Sequence, residues 1–261
     1  MATPPTPASE IVIEVRDVRT CFDNAVIHDG VTLKVPRGKI FALAGPSGCG
    51  KSLLLRQALA LQLPDSGSIR VLGRDVVGLR DEEALALRRR CGVMFERGAL
   101  FSSLTVTENV ELPLLERARL RRPLLEEVAA LKIALVGLPP SAGVRYPSQL
   151  SVGMRRRAAL ARAIAPDPEL LFLDEPTAGL DPESSRTFEE LIRKLNELLG
   201  LTIFVVTRDP SLLWNAADRV AFLGAGRVVA AGTIEEVSSS NEPLVRSYFS
   251  GTRAGARRER R

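Results

Sequence analysis

Hydrophobic and polar residues alternate along the first part of the chain, as they do in strands with one buried face. Residues 11–18, IVIEVRDV, show the alternation most clearly, and further β-like segments follow at 31–35, 39–44 and 68–72. These segments predict a β-rich N-terminal region. The Pro-rich stretch before them, residues 1–10, is expected to be disordered.

The middle of the chain changes to helical spacing. Between Asp81 and about Ala165, apolar residues recur at intervals of three and four among Arg and Glu, as in DEEALALRRR and LLEEVAALKIALVGL. We therefore expect a helical subdomain at about 77–165.

Two strongly apolar runs follow this helical region. ELLFLDE at 169–175 and LTIFVV at 201–206 flank a helical segment, an arrangement typical of parallel strands covered on both faces. RVAFLGAGRVVAAG at 219–232 predicts a hairpin, after which Thr233 and Glu236 can form a capping box for a further helix. The pattern predicts an α/β fold with a parallel core sheet and an antiparallel β portion near the N-terminus.

Composition and charge change this picture little. A chain of 261 residues with 45% hydrophobic and 26% charged residues suits one large α/β core or two modest ones. The net charge of +5 suggests a nucleic-acid partner, but residues 253–261, RAGARRERR, carry five Arg and one Glu. The remainder has a net charge near +1, so we expect a basic, disordered tail and no nucleic-acid partner.

The number and spacing of the cysteines and the length of the apolar stretches indicate where in the cell the chain is expected. Cys21, Cys49 and Cys91 form neither a CxxC pair nor an even set, and the N-terminus lacks a basic-then-apolar signal, so a reducing cytosol is expected. No run approaches 18 uninterrupted apolar residues, and a membrane role would require partners. His28, the only histidine in the sequence, belongs to no motif and is expected at the surface.

The strongest chemical signal is a phosphate-binding loop. KIFALAGPSGCGKSLLLRQAL contains GxxxxGK[ST] between an apolar strand and a helix, which is the context that this motif requires. Glycines let backbone N–H groups converge on phosphate oxygens, Lys51 supplies charge to the β and γ phosphates, and Ser52 offers a hydroxyl to Mg²⁺. The predicted phosphate-binding residues are Gly45, Pro46, Ser47, Gly48, Cys49, Gly50, Lys51, Ser52 and Leu53.

A second signal is the strand LLFLDEP at 170–176, which ends in two carboxylates. Asp174 is placed to reach Mg²⁺ directly or through water, and Glu175 to orient or deprotonate an attacking water. This pattern alone is weak because Asp and Glu end many strands. Downstream of a phosphate loop it favours nucleotide hydrolysis.

The stretch PSQLSVGMRRRAALARAIAPDPELLFLDEPTAGLDP makes the chain resemble the nucleotide-binding subunits of ABC transporters, over about residues 11–236. The resemblance implies an ABC cassette in which the signature motif is Leu150–Met154 and the D-loop is Ala178–Asp181. It also implies a head-to-tail dimer that holds ATP between the phosphate loop of one copy and the signature of the other. The ATP contacts implied in this way are Ser151, Gly153, Asp181 and Phe22, the last by stacking on adenine.

Three further stretches, GVMFERGALFSSLTVTENVELPL, GMRRRAALARA and EPLVRSYFSG, resemble the ATPase subunits of MCE-type phospholipid transporters, which include the maintenance of lipid asymmetry system. This resemblance implies ATP and Mg²⁺ as cofactors. It implies three partners: a second nucleotide-binding subunit in a homodimer, a transmembrane permease and an MCE-domain lipid-binding subunit. The implied location is peripheral, at the cytoplasmic face of the inner membrane.

Three residues depart from the family pattern where the γ-phosphate would lie. Glu96 replaces a glutamine but keeps an oxygen for Mg²⁺, Val152 replaces a glycine of the signature, and Arg208 replaces the switch histidine. Arg208 stays protonated and cannot accept a hydrogen bond, but it can donate to a γ-phosphate oxygen as an arginine finger does. We therefore count Arg208 with Lys51 and Glu175 as catalytic, and hypothesise that Glu96 and Arg208 compensate each other in charge.

Three functions remain open on the sequence. The first is an ATP-hydrolysing motor subunit, supported by the intact phosphate loop and carboxylates. The second is a hydrolysis-deficient, nucleotide-binding regulatory subunit, supported by the three departures. The third, a nucleic-acid-associated ABC protein, is opposed by the single cassette and by the lack of CxxC pairs and long heptad arrays.

Two regions are expected to contact partners or the chain itself. The resemblance places the contact with a transmembrane subunit near residues 96–107, which include Leu100 and Phe101. A C-terminal helical extension at 237–252 contains Val245, Tyr248 and Phe249, which can dock on a partner or fold back on their own domain.

Overall fold

The computed structural model describes residues 10–22, 25–96, 98–116 and 121–256. Residues 1–9 and 257–261, which include most of the expected disordered N-terminus and basic tail, lie outside the described residues. The described strands are β1 (Ile11–Phe22), β2 (Ala25–Pro36), β3 (Ile40–Ala44), β4 (Ser66–Val71), β5 (Arg74–Asp75), β6 (Cys91–Met94), β7 (Leu170–Asp174), β8 (Thr202–Thr207), β9 (Arg219–Gly224) and β10 (Arg227–Gly232). The described helices are α1 (Lys51–Ala58), α2 (Asp81–Arg89), α3 (Val106–Leu115), α4 (Arg122–Leu135), α5 (Val152–Ile164), α6 (Pro182–Leu199), α7 (Pro210–Ala216), α8 (Ile234–Ser238) and α9 (Pro243–Ala256).

The strands form two sheets. The first has four antiparallel strands in the order β2-β1-β4-β5. The second has six strands in the order β10-β9-β3-β8-β7-β6, and all its neighbours are parallel except the β9–β10 hairpin. This arrangement confirms the expected α/β fold with a parallel core sheet and an antiparallel N-terminal portion.

The core sheet is covered on both faces, which explains its continuous apolar runs. On β8, Ile203 and Val205 pack on the face that α3, α4, α5 and α6 cover, in a cluster to which these helices contribute many of the buried side chains. The alternate residues Phe204 and Val206 pack with β1, β2 and α1 on the opposite face. On β8, the two-residue period therefore sends alternate side chains to clusters on opposite faces of the sheet.

The carboxyl ends of three core strands lie side by side. Ala44 at the end of β3 pairs with Thr207 of β8, and Val206 pairs with Asp174 at the end of β7. The loops that follow these strands therefore meet at one edge of the sheet, where ligands bind in parallel α/β folds.

The structure differs from the sequence expectation within the helical region. Residues Cys91–Met94 form β6, which pairs in parallel with β7 from Leu170 to Leu173 and adds an edge strand to the core sheet. A four-residue strand directly after the arginines of α2 is too short to leave a two-residue pattern in the sequence. Helices α3, α4 and α5 then form the helical part proper.

The C-terminal helix folds back on its own domain. Val245 and Phe249 of α9 are buried in a cluster with Phe222 of β9 and Ile234 of α8, and the Tyr248 ring lies 5.1 Å from that of Phe222. The helix continues to Ala256, beyond the bound of 252 expected from the sequence. Within the described residues, no helix is both long and apolar enough to cross a membrane.

The buried carboxyl of Glu189 provides a first testable prediction. Its Oε2 accepts hydrogen bonds from Asn215 (2.7 Å) and Ser211 (3.3 Å), while its buried Oε1 has no hydrogen-bond partner among the described residues. Burial raises the pKa of Glu189, and the nearby charge of Asp209 raises it further. The folded protein thus binds this proton more tightly than the unfolded chain, and Glu189 lowers stability as the pH rises above its unfolded pKa.

We therefore expect Glu189→Gln to raise the Tm by about 2–4 °C at pH 8, which corresponds to about 1 kcal/mol for a chain of this size. The gain should disappear as the pH approaches 4, because the carboxyl is then neutral in both states. Differential scanning calorimetry at several pH values measures it. Glu190→Gln, at an exposed position on the same helix, serves as the control and should leave Tm nearly unchanged at each pH.

Candidate functional site

The loop between β3 and α1 has the backbone that a phosphate-binding loop requires. Gly45 has a φ of +151°, and a Cβ there would lie 2.3 Å from the carbonyl oxygen of Leu223. Gly50 has a φ of +98° and directly precedes the first residue of α1. Glycine is the residue that tolerates both the close approach and the positive φ, and the loop ends at a helix N-terminus suited to anions.

Lys51 is held inside this loop. Its Nζ donates to the carbonyl oxygens of Gly45 (2.9 Å) and Pro46 (2.8 Å), and the residue is only 5% exposed. An ammonium has three donors, and the third makes only a long contact of 3.9 Å with Sγ of Cys49, a weak acceptor that a phosphate oxygen can replace. The charge therefore lies in the loop itself, at the floor of the site.

Ser52 and Asp174 are in contact. The hydroxyl Oγ of Ser52 donates to Oδ1 of Asp174 over 2.7 Å, which joins α1 to the end of β7. Burial raises the pKa of Asp174, although the hydrogen bond from Ser52 opposes the shift. A buried carboxylate beside a hydroxyl attracts a cation, which would stabilise the charged form.

Glu175 follows Asp174 in a left-handed backbone conformation, with a φ of +45°. Its N–H donates to the carbonyl of Val206 (2.8 Å), and its Oε2 accepts the backbone N–H of Arg208 (3.1 Å). Burial raises the pKa of Glu175, and the hydrogen bond from Arg208 opposes that shift. Left-handed backbone at a residue other than Gly is uncommon and clusters at functional sites; here it accompanies a carboxylate held beside the phosphate loop.

Arg208 lies directly after β8 and spans the edge of the site. Its Nη1 donates to Oγ of Ser47 in the phosphate loop over 3.3 Å. Among the described residues, it forms no ion pair with Glu96, so the two proposed compensating charges are not in direct contact. They nevertheless border the same open cleft.

That cleft, which we call the phosphate cleft, has a volume of about 480 Å³, within the usual range for ligand sites. Phe22 at its rim is 45% exposed, so its ring is free to stack on a flat ligand. The residues lining the phosphate cleft are Phe22, Ile27, Ser47, Gly48, Gly50, Lys51, Ser52, Leu53, Arg56, Gln62, Glu96, Glu175 and Arg208. The structure thus brings together most of the residues predicted for nucleotide, metal and catalysis.

Four of the remaining predicted residues do not line the phosphate cleft but belong to the same loop and strand end as residues that do: Gly45, Pro46, Cys49 and Asp174. The other three lie apart from the cleft. Ser151 caps α5 by accepting the N–H of Met154 (3.2 Å), and Asp181 caps α6 by accepting that of Ser184 (2.9 Å). The hydrogen bond from Ser184 lowers the pKa of Asp181. Gly153 lies in the first turn of α5 with open space where a Cβ would be. A single chain therefore does not place these residues against its own phosphate loop.

Val152 borders a second groove beside the phosphate cleft. It is 42% exposed at the first position of α5, in ordinary helical backbone. Glu96 and Arg208 line both the groove and the cleft, and Arg155 and Arg156 add positive charge to the groove. The bulk of Val152 thus faces open space.

Sequence reasoning missed Arg156. Its Nη1 donates to the carbonyl of Glu96 and its Nη2 to that of Ala178 (2.7 Å). One buried guanidinium therefore joins the segment that contains Glu96 to the start of the predicted D-loop. It also lies close enough to the carboxylates of Glu96 and Glu175 to interact with their charges. Three consecutive arginines were visible in the sequence, but helical spacing alone does not show which of them faces inward.

The expectation that His28 is a surface histidine was wrong. The residue is fully buried in β2, behind the phosphate loop, and its Nε2 lies 3.1 Å from the carbonyl oxygen of Gly50. Its neighbours in sequence are partly polar and partly apolar, so the pattern did not show that this position faces inward.

The donors present fit Mg²⁺ bound together with phosphate. No group of three His, Cys, Asp or Glu residues that could hold a metal occurs in the described part of the chain. Mg²⁺, however, takes one or two protein oxygens and completes its shell with substrate phosphates and water. The hydroxyl of Ser52 and the carboxylate of Asp174, already in contact, offer such a set.

Comparison with known families gives one clear match. Residues 28–178 match the family model described as ABC transporter. Among solved structures, the chain is similar to the dimeric post-hydrolysis state of the ATP-binding cassette MJ0796 bound to ADP and Pi, with a TM-score of 0.78 and 29% identity, covering 85% of this chain and 98% of that one. It is also similar to cbiO1 of Clostridium perfringens, part of the cbiONQ transporter complex, with a TM-score of 0.81 and 25% identity over 96% and 99% of the two chains.

Comparison with individual proteins gives relatives of similar identity. The chain is 39% identical to the intermembrane phospholipid transport system ATP-binding protein MlaF of Escherichia coli K12, over 94% of this chain and 90% of MlaF. It is 38% identical to MlaF of Haemophilus influenzae, over 94% and 92%. It is 40% identical to the methionine import ATP-binding protein MetN of Rhizobium etli, over 95% of this chain but 69% of MetN.

Proposed function

The chain belongs to the ABC transporter family, and from this premise we propose that it is the ATP-hydrolysing subunit of an MCE-type phospholipid transporter. The observation that carries the proposal is the alignment with MlaF, which spans nearly the whole of both proteins. The identity with MetN is as high, but about a third of MetN lies outside the alignment. The ABC cassette fold and the ATPase chemistry follow from the family itself.

The proposed nucleotide site is the phosphate cleft. Phe22 would stack on adenine, the backbone N–H groups between Gly45 and Leu53 would hold the phosphates, and Lys51 would neutralise the β and γ phosphates. The buried position of Lys51 supports its role, because two carbonyls of the loop already hold the ammonium in place.

The proposed metal-holding residues are Ser52, Asp174 and Glu96. When bound, Mg²⁺ would neutralise phosphate charge and lower the energy of the negative transition state. The contact between Ser52 and Asp174 keeps two of these oxygens together before any ligand arrives. Glu96 borders the same cleft and is close enough to affect the pKa of Asp174.

The proposed chemistry is attack of water on the γ-phosphate, which breaks its bond to the β–γ bridging oxygen and releases ADP and phosphate. Glu175 would orient that water and accept its proton, since its carboxylate is held by the N–H of Arg208 at the end of β8. Arg208 would donate its guanidinium N–H groups to γ-phosphate oxygens, because its side chain already reaches the phosphate loop at Ser47. The motor interpretation is thereby favoured over the hydrolysis-deficient alternative.

We propose a second copy of the chain as the first partner. Ser151, Gly153 and Asp181 lie outside the phosphate cleft of their own chain, so they would complete the site of the other copy. The dimeric form of the similar cassette MJ0796 supports this arrangement. The proposed further partners are a transmembrane permease and an MCE-domain lipid-binding subunit, with the complex at the cytoplasmic face of the inner membrane.

Reconstitution tests the proposed function. The chain, purified with its co-expressed permease and MCE-domain subunit, is placed in liposomes, and transfer of fluorescent phospholipid to acceptor vesicles is followed with and without Mg²⁺ and ATP. Transfer that requires ATP supports the proposal. ATP turnover by the complex without any phospholipid transfer, but with uptake of a different solute such as methionine, would replace the lipid assignment by another transport function.

Of Leu100 and Phe101, the two residues expected at the permease contact, Phe101 is the better position for a test substitution. Its side chain is 50% exposed and lies under the guanidinium of Arg162, 5.7 Å from the ring centre, whereas Leu100 packs partly against the core. We expect Phe101→Asp to reduce the amount of permease that co-purifies with the chain at least about tenfold, since a charge replaces an apolar anchor at the contact. ATP binding should stay within about twofold, because Phe101 does not line the phosphate cleft.

Leu198→Asp is the control for this prediction. Leu198 is 72% exposed near the end of α6, and its replacement should leave both permease recovery and ATP binding unchanged. Normal assembly and lipid transfer by Phe101→Asp would move the permease contact away from residues 96–107.

A further inference from the structure

A buried polar network lies directly behind the phosphate loop. It consists of His28 on β2, Thr20 on β1 and Gln57 on α1, with exposures of 0%, 2% and 0%. The ring of His28 contacts the carbonyl of Gly50 through Nε2 (3.1 Å) and the hydroxyl of Thr20 through Nδ1 (3.2 Å). Gln57 Nε2 donates to the same hydroxyl oxygen over 2.9 Å. The network thus joins the N-terminal sheet to both ends of α1, at Gly50 before its first residue and at Gln57 in its last turn.

The chemistry of the partners fixes the direction of each hydrogen bond. A backbone carbonyl can only accept, so Nε2 of His28 carries the proton and donates to Gly50. Burial lowers the pKa of His28, which favours the neutral ring, and Nδ1 is then an acceptor. The hydroxyl of Thr20 accepts from Gln57 and donates to Nδ1, which selects this tautomer.

The carbonyl that His28 holds belongs to the peptide that starts α1. Gly50 is the residue before Lys51, and its carbonyl also accepts the N–H of Leu54 (3.0 Å). In a trans peptide the C=O and the following N–H point in opposite directions. The hydrogen bond from His28 holds the carbonyl of Gly50 toward the N-terminal sheet. The N–H of Lys51 therefore points the opposite way, out of the N-terminal end of α1 and toward the phosphate cleft.

We infer that His28 is a positioning residue for the phosphate loop, which fixes the Gly50–Lys51 peptide so that its N–H faces bound phosphate. The fit is close, since a Cβ at Gly50 would lie 2.5 Å from Nε2 of His28. The imidazole thus occupies the space left by the glycine and supplies its hydrogen bond there. This inference rests on ATP binding at the phosphate cleft and is independent of what the transporter carries.

Nucleotide affinity of His28 variants tests the inference. Binding of AMP-PNP, an ATP analogue that is not hydrolysed, to the full-length chain with Mg²⁺ is measured by calorimetry. We expect His28→Leu to raise the Kd about three- to tenfold, the loss that corresponds to one net hydrogen bond. The KM for ATP of the assembled complex should rise by a similar factor, while kcat changes less than about twofold.

Two further variants separate the hydrogen bond from folding. His28→Gln keeps an N–H donor at the reach of Nε2 and should hold the Kd within about twofold, whereas the shorter His28→Asn loses that reach and should resemble His28→Leu. If His28→Leu does not fold, the Gln and Asn variants provide the same comparison. Equal Kd values for Gln and Asn, both near that of the unaltered chain, would overturn the inference.

Thr20→Val is the matched control. It removes both hydrogen bonds of the Thr20 hydroxyl, from Gln57 and to Nδ1 of His28, and should lower the Tm, but it leaves Nε2 of His28 on the carbonyl of Gly50. We expect its Kd for AMP-PNP to stay within about twofold. A rise equal to that of His28→Leu would assign the effect to general loosening of the network and also overturn the inference. Absence of lipid transfer by the complex would not affect this comparison.

Discussion

Glu175→Gln is expected to lower ATP turnover by the assembled complex about 10²–10⁴-fold while ATP binding stays within about twofold. Removing a general base costs a factor of this size. The amide of Gln keeps an oxygen that can accept the N–H of Arg208, as Oε2 of Glu175 does now. The backbone conformation and the packing are therefore retained, and the ability to accept a proton from water is lost.

Steady-state phosphate release and AMP-PNP binding, measured on the same preparation, test this expectation. Glu235→Gln, an exposed substitution on α8, controls for the loss of one negative charge and should turn over ATP normally. If Glu175→Gln retained more than about a tenth of normal turnover, Glu175 would not be the base. If the unaltered complex were no faster than Glu175→Gln and still bound ATP, the chain would be a nucleotide-gated regulatory subunit.

The parts of the site carried by local sequence were predictable. The predicted phosphate loop requires a strand, a set of glycines and a helix that are consecutive in the chain, so GxxxxGKS predicted the observed order of β3, a glycine loop and α1 directly. The apolar runs of β7 and β8 predicted parallel strands covered on both faces, and both strands are buried throughout in the core sheet. Both expectations rely on residues that are neighbours in sequence.

The parts that depend on distant contacts were not predictable. His28 became a buried residue only because Thr20 and the phosphate loop surround it, and 22 residues separate it from Gly50. Arg156 reaches a carbonyl 60 residues before it in the chain. The partners of His28 and Arg156 are backbone carbonyls, which every residue type has. No sequence pattern therefore indicates these contacts.

Arg208→Ala is expected to lower turnover by at least about 10²-fold, with AMP-PNP affinity falling much less. An arginine that donates to the transferring phosphoryl group acts mainly on the transition state, so kcat should fall more than binding. The structure favours this role because Nη1 of Arg208 already reaches Ser47 in the phosphate loop. Its backbone N–H, which holds Glu175, is unaffected by the substitution.

Arg208→Lys separates charge from geometry. Lysine keeps the positive charge but lacks the planar fork of donors, so it should recover only a small part of the lost turnover. Full recovery would mean that charge alone matters at this position. Equal losses of kcat and of AMP-PNP affinity in Arg208→Ala would instead make Arg208 a ground-state binding residue.

A double-mutant cycle decides whether Glu96 and Arg208 compensate each other. The two side chains share the phosphate cleft without an ion pair between them, and Glu96 interacts with the charge of Arg156. We therefore expect their coupling to act across the cleft, where both charges face the bound phosphates. We expect Glu96→Gln combined with Arg208→His to retain at least about fivefold more turnover than the product of the single losses predicts, a coupling of about 1 kcal/mol. Losses that add within about 0.5 kcal/mol would show that the two substitutions act independently, and Arg156 would then be the remaining positive partner for Glu96.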